Sequence, residues 1–406
     1  MRNFILALLC LIFLLTAGCV AISLAEPPKN PAPFPPDELL VITAVGDIMM
    51  HNTQIMSGYQ PFAGTYDFAG FFKEIKPLLL ASDLVIGNLE TTMSGKKAVY
   101  SGYPRFNAPE QLAYNLKEAG FQILTTANNH CLDKNFTGLA NTLQFLDQAG
   151  VLHTGTARSQ EERDSILFVE KKGVKMAILA YTYGTNGIAP PIDKPYAVNI
   201  LEENLVKNDI ARARTEGAQL VILSLHFGQE YQPQPNSVQK ELVHQFLEAG
   251  ADIILGHHPH VLQPMEIVAI KENGKEKNKF VIYSLGNFIS DQSGLARQSS
   301  IILNIHIGIN RMTKEPYLKE VSYIPIFTRR YFEHGKTSFQ VLAAEPALTT
   351  IRTGAAHSFT SADIKNLENA WQHVTHHLSN HDPRIKLLRL AIPQDHLNLI
   401  KSLVAN

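Results

Sequence analysis

The chain has 406 residues, of which 45% are hydrophobic and 18% charged, with a formal net charge of −1. Such a composition builds a substantial core and offers no basic face for a polyanion, so no nucleic-acid partner is expected. Strand-like and helix-like segments alternate without a clear break from about Leu40 to the 320s, which reads as one large α/β domain with an appendage.

At the N-terminus Arg2 precedes an apolar run from Phe4 to Leu15 that is short for a membrane span and is followed by small residues, as in a secretory signal. Residues 1–25 are read as this leader, so the mature protein is expected outside the cytoplasm. Two processing sites compete. Leu15-Thr16-Ala17-Gly18-Cys19 has the form of a bacterial lipobox, in which Cys19 is lipidated and anchors the chain to the membrane; Ser23-Leu24-Ala25 before Glu26 has the form of an ordinary cleavage site, which gives a secreted or periplasmic protein. The lipoprotein is the favoured expectation, and an uncleaved anchor is the third reading. Residues 26–39 contain EPPKNPAPFPP, a Pro-rich, extended tether.

Six apolar runs follow, each ending in metal-ligand residue types. They are Leu40 to Val45 before Asp47, Asp83 to Ile86 before Asn88 and Glu90, and Ile123 to Thr126 before Asn128, Asn129 and His130. Leu220 to Leu225 precedes His226, Ile253 to Leu255 precedes His257, His258 and His260, and Phe280 to Leu285 precedes Asn287. Short Val-, Ile- and Leu-rich runs suggest strands buried on both faces. Helix-like stretches lie between them around Phe68 to Leu80, Pro109 to Ala119, Thr137 to Ala149, Glu202 to Thr215 and Ser237 to Ala249, several stopping at a glycine. A hairpin is predicted around Lys172-Gly173 and a further antiparallel element at Ser300 to Ile309, making the sheet mixed. The large domain is placed at 40–344 and a helical appendage at 345–406, with a helix over Ser361 to Leu378 whose His373, His376 and His377 read as a polar face rather than a metal site.

In open α/β sheets ligands bind at the carboxyl ends of strands, where side chains from distant parts of the chain converge. Two imidazoles flanking Pro259, in Gly256-His257-His258-Pro259-His260, can face one point, and neutral imidazole suits Zn, Mn, Fe or Co. A solvated His-rich loop is the plain alternative for this turn taken alone; Asp47, Glu90, Asn129, His130 and His226 at other strand ends weigh against it. Cys131, beside His130, reads as a small buried side chain rather than a nucleophile, and with only Cys10 and Cys19 besides it the domain has no disulfide framework.

The order of motifs resembles the calcineurin-like metallophosphatase pattern and, more closely, the CapA-type capsule-synthesis (poly-γ-glutamate synthesis) family. The resemblance rests on VGDIMMH (45–51), DLVIGNLET (83–91), FNAPEQLAYNLKEAGFQILTTANNH (106–130), SLHFGQEY (224–231), GHHPHVLQP (256–264) and YSLGNF (283–288). It implies a four-layered α/β/β/α sandwich with Asp47, Glu90, Asn129, His226, His258 and His260 as ligands of one or two divalent ions (Mn, Fe or Zn). It also implies His130 as proton donor to a leaving group and Asn287 as a rim residue that contacts substrate or fixes its loop. His257 is the weaker ligand candidate, since His258 and His260 already supply His-x-His. Two departures stand out: Ile48 and Met49 follow Asp47 where the metallophosphatase pattern has Asp-x-His, and Glu90 stands where an Asp normally bridges two metals. The expected activity is a metal-dependent hydrolase or transferase acting on an anionic envelope polymer or its precursor, with capsule-synthesis membrane proteins as possible partners. A non-catalytic polymer-binding assembly factor and a general extracytoplasmic phosphoesterase are the alternatives. Arg105, with Tyr103 and Arg297, is a candidate for recognising an anionic substrate, against ordinary surface ion pairing.

Overall fold

A computed structural model describes residues 37–390 except 273, 334, 354–358, 380, 381 and 383; the leader, Cys19 and most of the linker lie outside the described residues. The strands are, in chain order, β1 (Glu38–Ile48), β2 (Tyr59–Gln60), β3 (Thr65–Tyr66), β4 (Leu84–Leu89), β5 (Ile123–Thr125), β6 (Leu152–Thr154), β7 (Leu167–Lys171), β8 (Val174–Thr182) and β9 (Leu220–His226). There follow β10 (Ile253–His257), β11 (Met265–Glu272), β12 (Lys275–Ile282), β13 (Asn287–Ile289), β14 (Ser299–Ile309), β15 (Pro316–Glu333), β16 (Lys336–Ala343) and β17 (Ile385–Leu387). One sheet runs β16-β15-β14-β1-β4-β5-β6, with β13 added to β1 and β17 to β15; the other runs β11-β12-β10-β9-β8-β7.

In the second sheet the parallel strands β12, β10, β9 and β8 are flanked by antiparallel β11 and β7, whereas in the first the parallel strands β1, β4, β5 and β6 run to one edge and antiparallel β14, β15 and β16 continue from β1. The period of two along a strand sends alternate side chains to opposite faces. On β9 Ile222 faces the other sheet, where it joins Ile42, Ile86, Ile178, Leu255 and Ile282, while Val221 and Leu223 face outward. The outer face of the second sheet is covered by the helices Glu203–Thr215 and Ser237–Ala249 through Val206, Ile210, Val243 and Phe246. Helices Gln111–Ala119 and Asn135–Ala149 cover the first through Leu112, Leu116, Leu139 and Leu143. The result is a mixed α/β fold in four layers, α/β/β/α. Because both faces of both sheets are covered, the central strands read as unbroken apolar runs.

The predicted hairpin is present, Lys171 pairing with Val174, and Ser299–Ile309 is antiparallel to both β1 and β15. The single helix expected over Phe68 to Leu80 is instead two, Ala69–Phe72 and Lys76–Leu80. Pro77 has no N–H to continue a helix from the preceding turn, but its fixed φ suits a new helical start. At the C-terminal end the helices Ala344–Arg352 and Ser361–Ser379 pack Leu348, Leu367 and Ala370 on Phe327 and Leu342. His373 and His377 stack on one another along the latter helix, with ring centroids 6.2 Å apart. Strand β17, absent from the sequence reading, follows and pairs with β15. Among the described residues no helix is long and apolar enough to cross a membrane.

Candidate metal centre

The functional side chains sit where the parallel strands end, and backbone packing brings these ends together. At its upper end β1 leaves β14 and takes β13 as a parallel partner, with Asp47 opposite Asn287 on one side and Asn88 on the other. Gly46 makes this possible, because a Cβ there would lie 1.8 Å from the carbonyl oxygen of Gly286. Gly256 plays the same part for the histidine turn: its Cβ would lie 1.9 Å from the Tyr283 carbonyl oxygen. Beyond it His258 (φ 96°) and His260 (φ 58°) adopt left-handed backbone conformations, costing about 1–3 kcal/mol each in a side-chain-bearing residue.

Asp47 is fully buried and organises the turn. Its Oδ1 accepts from Asn88 Nδ2 (2.8 Å) and His257 Nδ1 (3.1 Å), and its Oδ2 from His260 Nδ1 (3.1 Å). A carboxylate only accepts, so both imidazoles carry a proton on Nδ1, and the other ring nitrogen of His260, Nε2, is the one turned to Glu90. Burial alone would raise the Asp47 pKa; the bonds from His257 and His260 outweigh it and hold the group well below the ordinary range. Asn287, also buried, offers Oδ1 to His260 Nδ1 at 3.0 Å and donates Nδ2 to Gln292 and to the Arg297 carbonyl. These contacts make it a brace of the turn.

Glu90 is the electrostatic anomaly. It is fully buried and neither carboxylate oxygen has a hydrogen-bond partner. Its Oε1 lies 3.6 Å from His226 Nε2 and 3.7 Å from His260 Nε2. Burial, then the neighbouring Asp47 charge, pushes its pKa well above the usual value. His226 Nε2 also meets Asn129 Oδ1 at 3.0 Å. Burial and the adjacent His258 push His226 well below the ordinary imidazole value, and burial brings His258 down to about 4. His226 and His258 are therefore neutral, the form in which imidazole ligates metal. Donor atoms of Asp47, Glu90 and His260 lie within 4.8 Å of one another, as do those of Glu90, His226 and His258.

These donors fit a divalent cation. An orphaned buried carboxylate is expensive, its desolvation uncompensated by any donor, and a metal would supply the missing partner. The structure thus brings Asp47, Glu90, Asn129, His226, His258 and His260 to one point. His51 does not replace the imidazole absent after Asp47. It belongs to none of the donor trios, and its Nδ1 lies 3.2 Å from Gln54 Oε1 at the start of the Asn52–Gly58 helix and 3.3 Å from the Asp291 nitrogen, while Met49 and Met50 fill buried positions.

His130 stands beside this cluster. Its Nδ1 donates to Asp133 Oδ2 at 2.7 Å, and Phe106 packs edge-on against the ring at 4.6 Å. Asp133 Oδ2 also accepts from the Phe106 N–H at 2.7 Å. This holds a proton on Nδ1 and leaves Nε2 as the ring nitrogen not bonded to Asp133. Asp133 escaped the sequence reading, although its place three residues after His130 was a usable signal. Glu230 escaped it too; its carboxylate groups with His258 and His260.

Residues 41–292 match the sequence model of a family described as bacterial capsule synthesis protein PGA_cap. The chain belongs to this capsule-synthesis family. It is 32% identical over 284 residues to the capsule biosynthesis protein CapA of Bacillus anthracis, covering 68% of this chain and 65% of that protein. It is 31% identical over 282 residues to the PGA biosynthesis protein CapA of Bacillus subtilis, covering 68% and 69%. The match spans about two thirds of each relative. Among solved structures, the calcineurin-like phosphoesterase YfkN from Bacillus subtilis aligns with a TM-score of 0.43 and 14% identity, over 85% of this chain and 100% of that one.

The PGA_cap match takes in the whole donor set, His130 and Asp133, and stops before Arg297. Arg297 lies over the Tyr231 ring at 5.1 Å, and that ring is 6.1 Å from His260. Tyr103 is exposed with its ring 6.4 Å from Phe106. Arg105, in the same loop, is exposed and makes no ion pair among the described residues.

Proposed function

We propose that this capsule-synthesis family member is an extracytoplasmic, metal-dependent hydrolase or transferase that acts on an anionic envelope polymer, or on its phosphorylated or amide-linked precursor. The observation that carries the reading is Glu90, whose two buried and unpartnered oxygens lie among three imidazoles and Asp47. Packing alone gives no reason to bury an acid without a donor. Asp47, Glu90, Asn129, His226, His258 and His260 would hold one or two ions of Mn, Fe or Zn. Such a cation supplies Lewis-acid polarisation of an anionic group and acidifies bound water.

The chain's own residues do the rest. His130, oriented by Asp133 and walled by Phe106, acts at Nε2: with Nδ1–H held by Asp133, the doubly protonated ring would give the Nε2 proton to the departing group and be left neutral. The exposed Arg105 and Tyr103, on the loop that carries Phe106, attract and orient the anionic chain. The polymer class is taken from the relatives, two of which are named for capsule and PGA biosynthesis. The leader and the Leu15-to-Cys19 lipobox support a location outside the cytoplasm with a lipid anchor at Cys19.

A second reading, a polymer-binding assembly factor without catalysis, is favoured by one observation: the position two residues after Asp47 is the buried Met49 rather than a ligand. Elemental analysis of the purified protein beside Asp47→Ala and His258→Ala separates the two. One or two equivalents of metal, lost in both variants, followed by turnover of phosphoester or amide substrates, supports the enzyme. A folded protein that takes up none of Mn, Fe or Zn leaves the assembly factor.

A further inference from the structure

Glu90, His258 and His260 form a triangle at the heart of the centre, and a different residue closes each of its edges. Asp47 joins Glu90 and His260, His226 joins Glu90 and His258, and Glu230 joins His258 and His260; within each trio the donor atoms lie within 4.8 Å of one another. The first two trios are entirely buried, whereas Glu230 is only partly so, which puts the third edge at the solvent side. The residues of the first two edges were ligand candidates from the sequence; Glu230, inside the SLHFGQEY run, was not.

Glu230 is held there by backbone. It lies in the loop that follows β9, and that loop is tied to the histidine turn at two points: Phe227 N–H donates to the His257 carbonyl at 3.1 Å, and Tyr231 N–H to the Pro259 carbonyl at 2.8 Å. Among the described residues Glu230 has no lysine or arginine partner, and Arg297 is turned onto the Tyr231 ring instead. His258 is 4% exposed, yet its Nδ1 has no hydrogen-bond partner. A partly buried carboxylate, bonded by the neighbouring Tyr231 but by no cation, therefore groups with two buried imidazoles, and His258 Nδ1 among them lacks a partner. Two imidazoles and one carboxylate form a donor set suited to Mn, Fe or Zn, with further positions left for water or an anionic ligand.

We propose that Glu230 is a metal ligand, forming with His258 and His260 a solvent-facing divalent-cation position that compensates for the imidazole missing after Asp47. This rests on the reading of the cluster as a metal centre. A ligand at the mouth, rather than below Asp47, would leave this position the more exchangeable one.

The test is isothermal titration of the chelator-treated full chain with Mn²⁺, with elemental analysis of the loaded protein, for wild type, Glu230→Gln and Glu90→Gln. The expected result is that Glu230→Gln loses the weakest-binding equivalent, or binds it more weakly by at least the roughly 10–100-fold that loss of an outer partner costs, while tighter binding persists. Uptake by Glu230→Gln with the stoichiometry and affinity of wild type overturns the proposal. If Glu90→Gln abolishes uptake and Glu230→Gln leaves it untouched, the metal centre stands and only the role of Glu230 falls. If wild type binds none of Mn²⁺, Fe²⁺ or Zn²⁺, the metal centre itself falls and Glu230 with it.

Discussion

His260 joins Asp47 to Glu90. Its Nδ1 lies 3.1 Å from Asp47 Oδ2 and its Nε2 lies 3.7 Å from Glu90 Oε1, so one buried ring links the ordered carboxylate to the orphaned one. Removing the ring removes a donor atom and the orientation of the turn together. His260→Ala is expected to reduce metal uptake strongly. Wild-type protein treated with chelator should melt lower and recover on adding Mn²⁺, gaining about 2.7 kcal/mol at 100 times Kd. Thermal unfolding with and without metal checks this, and an equal gain in His260→Ala would count against a role for the ring.

The His130–Asp133 contact at 2.7 Å predicts a separation of binding from chemistry. His130→Ala and Asp133→Asn are expected to lower kcat by about 10²–10⁴-fold on any substrate the protein turns over, the range typical of general acid–base groups. Metal content should be unchanged, because neither residue belongs to the metal-donor trios. Loss of metal in either variant would assign them a structural part instead.

Gly46 is expected to be intolerant. A methyl group 1.8 Å from the Gly286 carbonyl oxygen forces β1 and β13 apart, and Gly46→Ala should cost about 3 kcal/mol or more in urea unfolding. Gly184, with nothing within 4 Å of its would-be Cβ, is the control, and alanine there should change stability by no more than about 1 kcal/mol.

Asp363 sets an acid limit on the C-terminal helix. Its carboxylate accepts from the buried Arg329 at 2.9 Å, and the Arg329 guanidinium also lies over the Phe359 ring at 4.0 Å. Burial alone would raise the Asp363 pKa, but bonds from Arg329 and Thr360 outweigh it and hold the carboxyl below its ordinary value. A group depressed in the native state contributes stability fully above its unfolded value, and that contribution is lost as pH falls through the native one. Asp363→Asn should therefore be less stable than wild type near neutral pH, with the gap narrowing as pH falls below about 4. A gap constant down to pH 2 would refute the ion-pair account.

Cys131 should be inert. Burial pushes its thiol up to about 12, so it is expected to resist iodoacetamide at pH 8 in the folded protein and to react only after unfolding, with the labelled peptide identified by mass spectrometry. Rapid native labelling at Cys131 would reopen a chemical role.

Much of the architecture was legible in the chain because it follows from local rules. Runs such as Leu220 to Leu225 read as strands from apolar continuity, and helices such as Ser237–Ala249 read from periodicity and a terminal glycine. The donor residues were legible for the same reason, since each follows a strand that points to the same edge. Spacing in sequence could not give what depends on long-range register. Asn287 becomes a brace only because β13 adds to β1 opposite Asp47, 240 residues earlier in the chain. Whether His51 could stand in for the missing imidazole was decided by a helix start that turns its ring toward Gln54. Glu230 reaches the centre only because two loops exchange backbone bonds. The sequence by itself determined which residues could bind a cation, since that is a matter of side-chain chemistry. Only the tertiary structure decided which of them meet and which carboxylate is left without a donor, since both depend on where distant strands end in space.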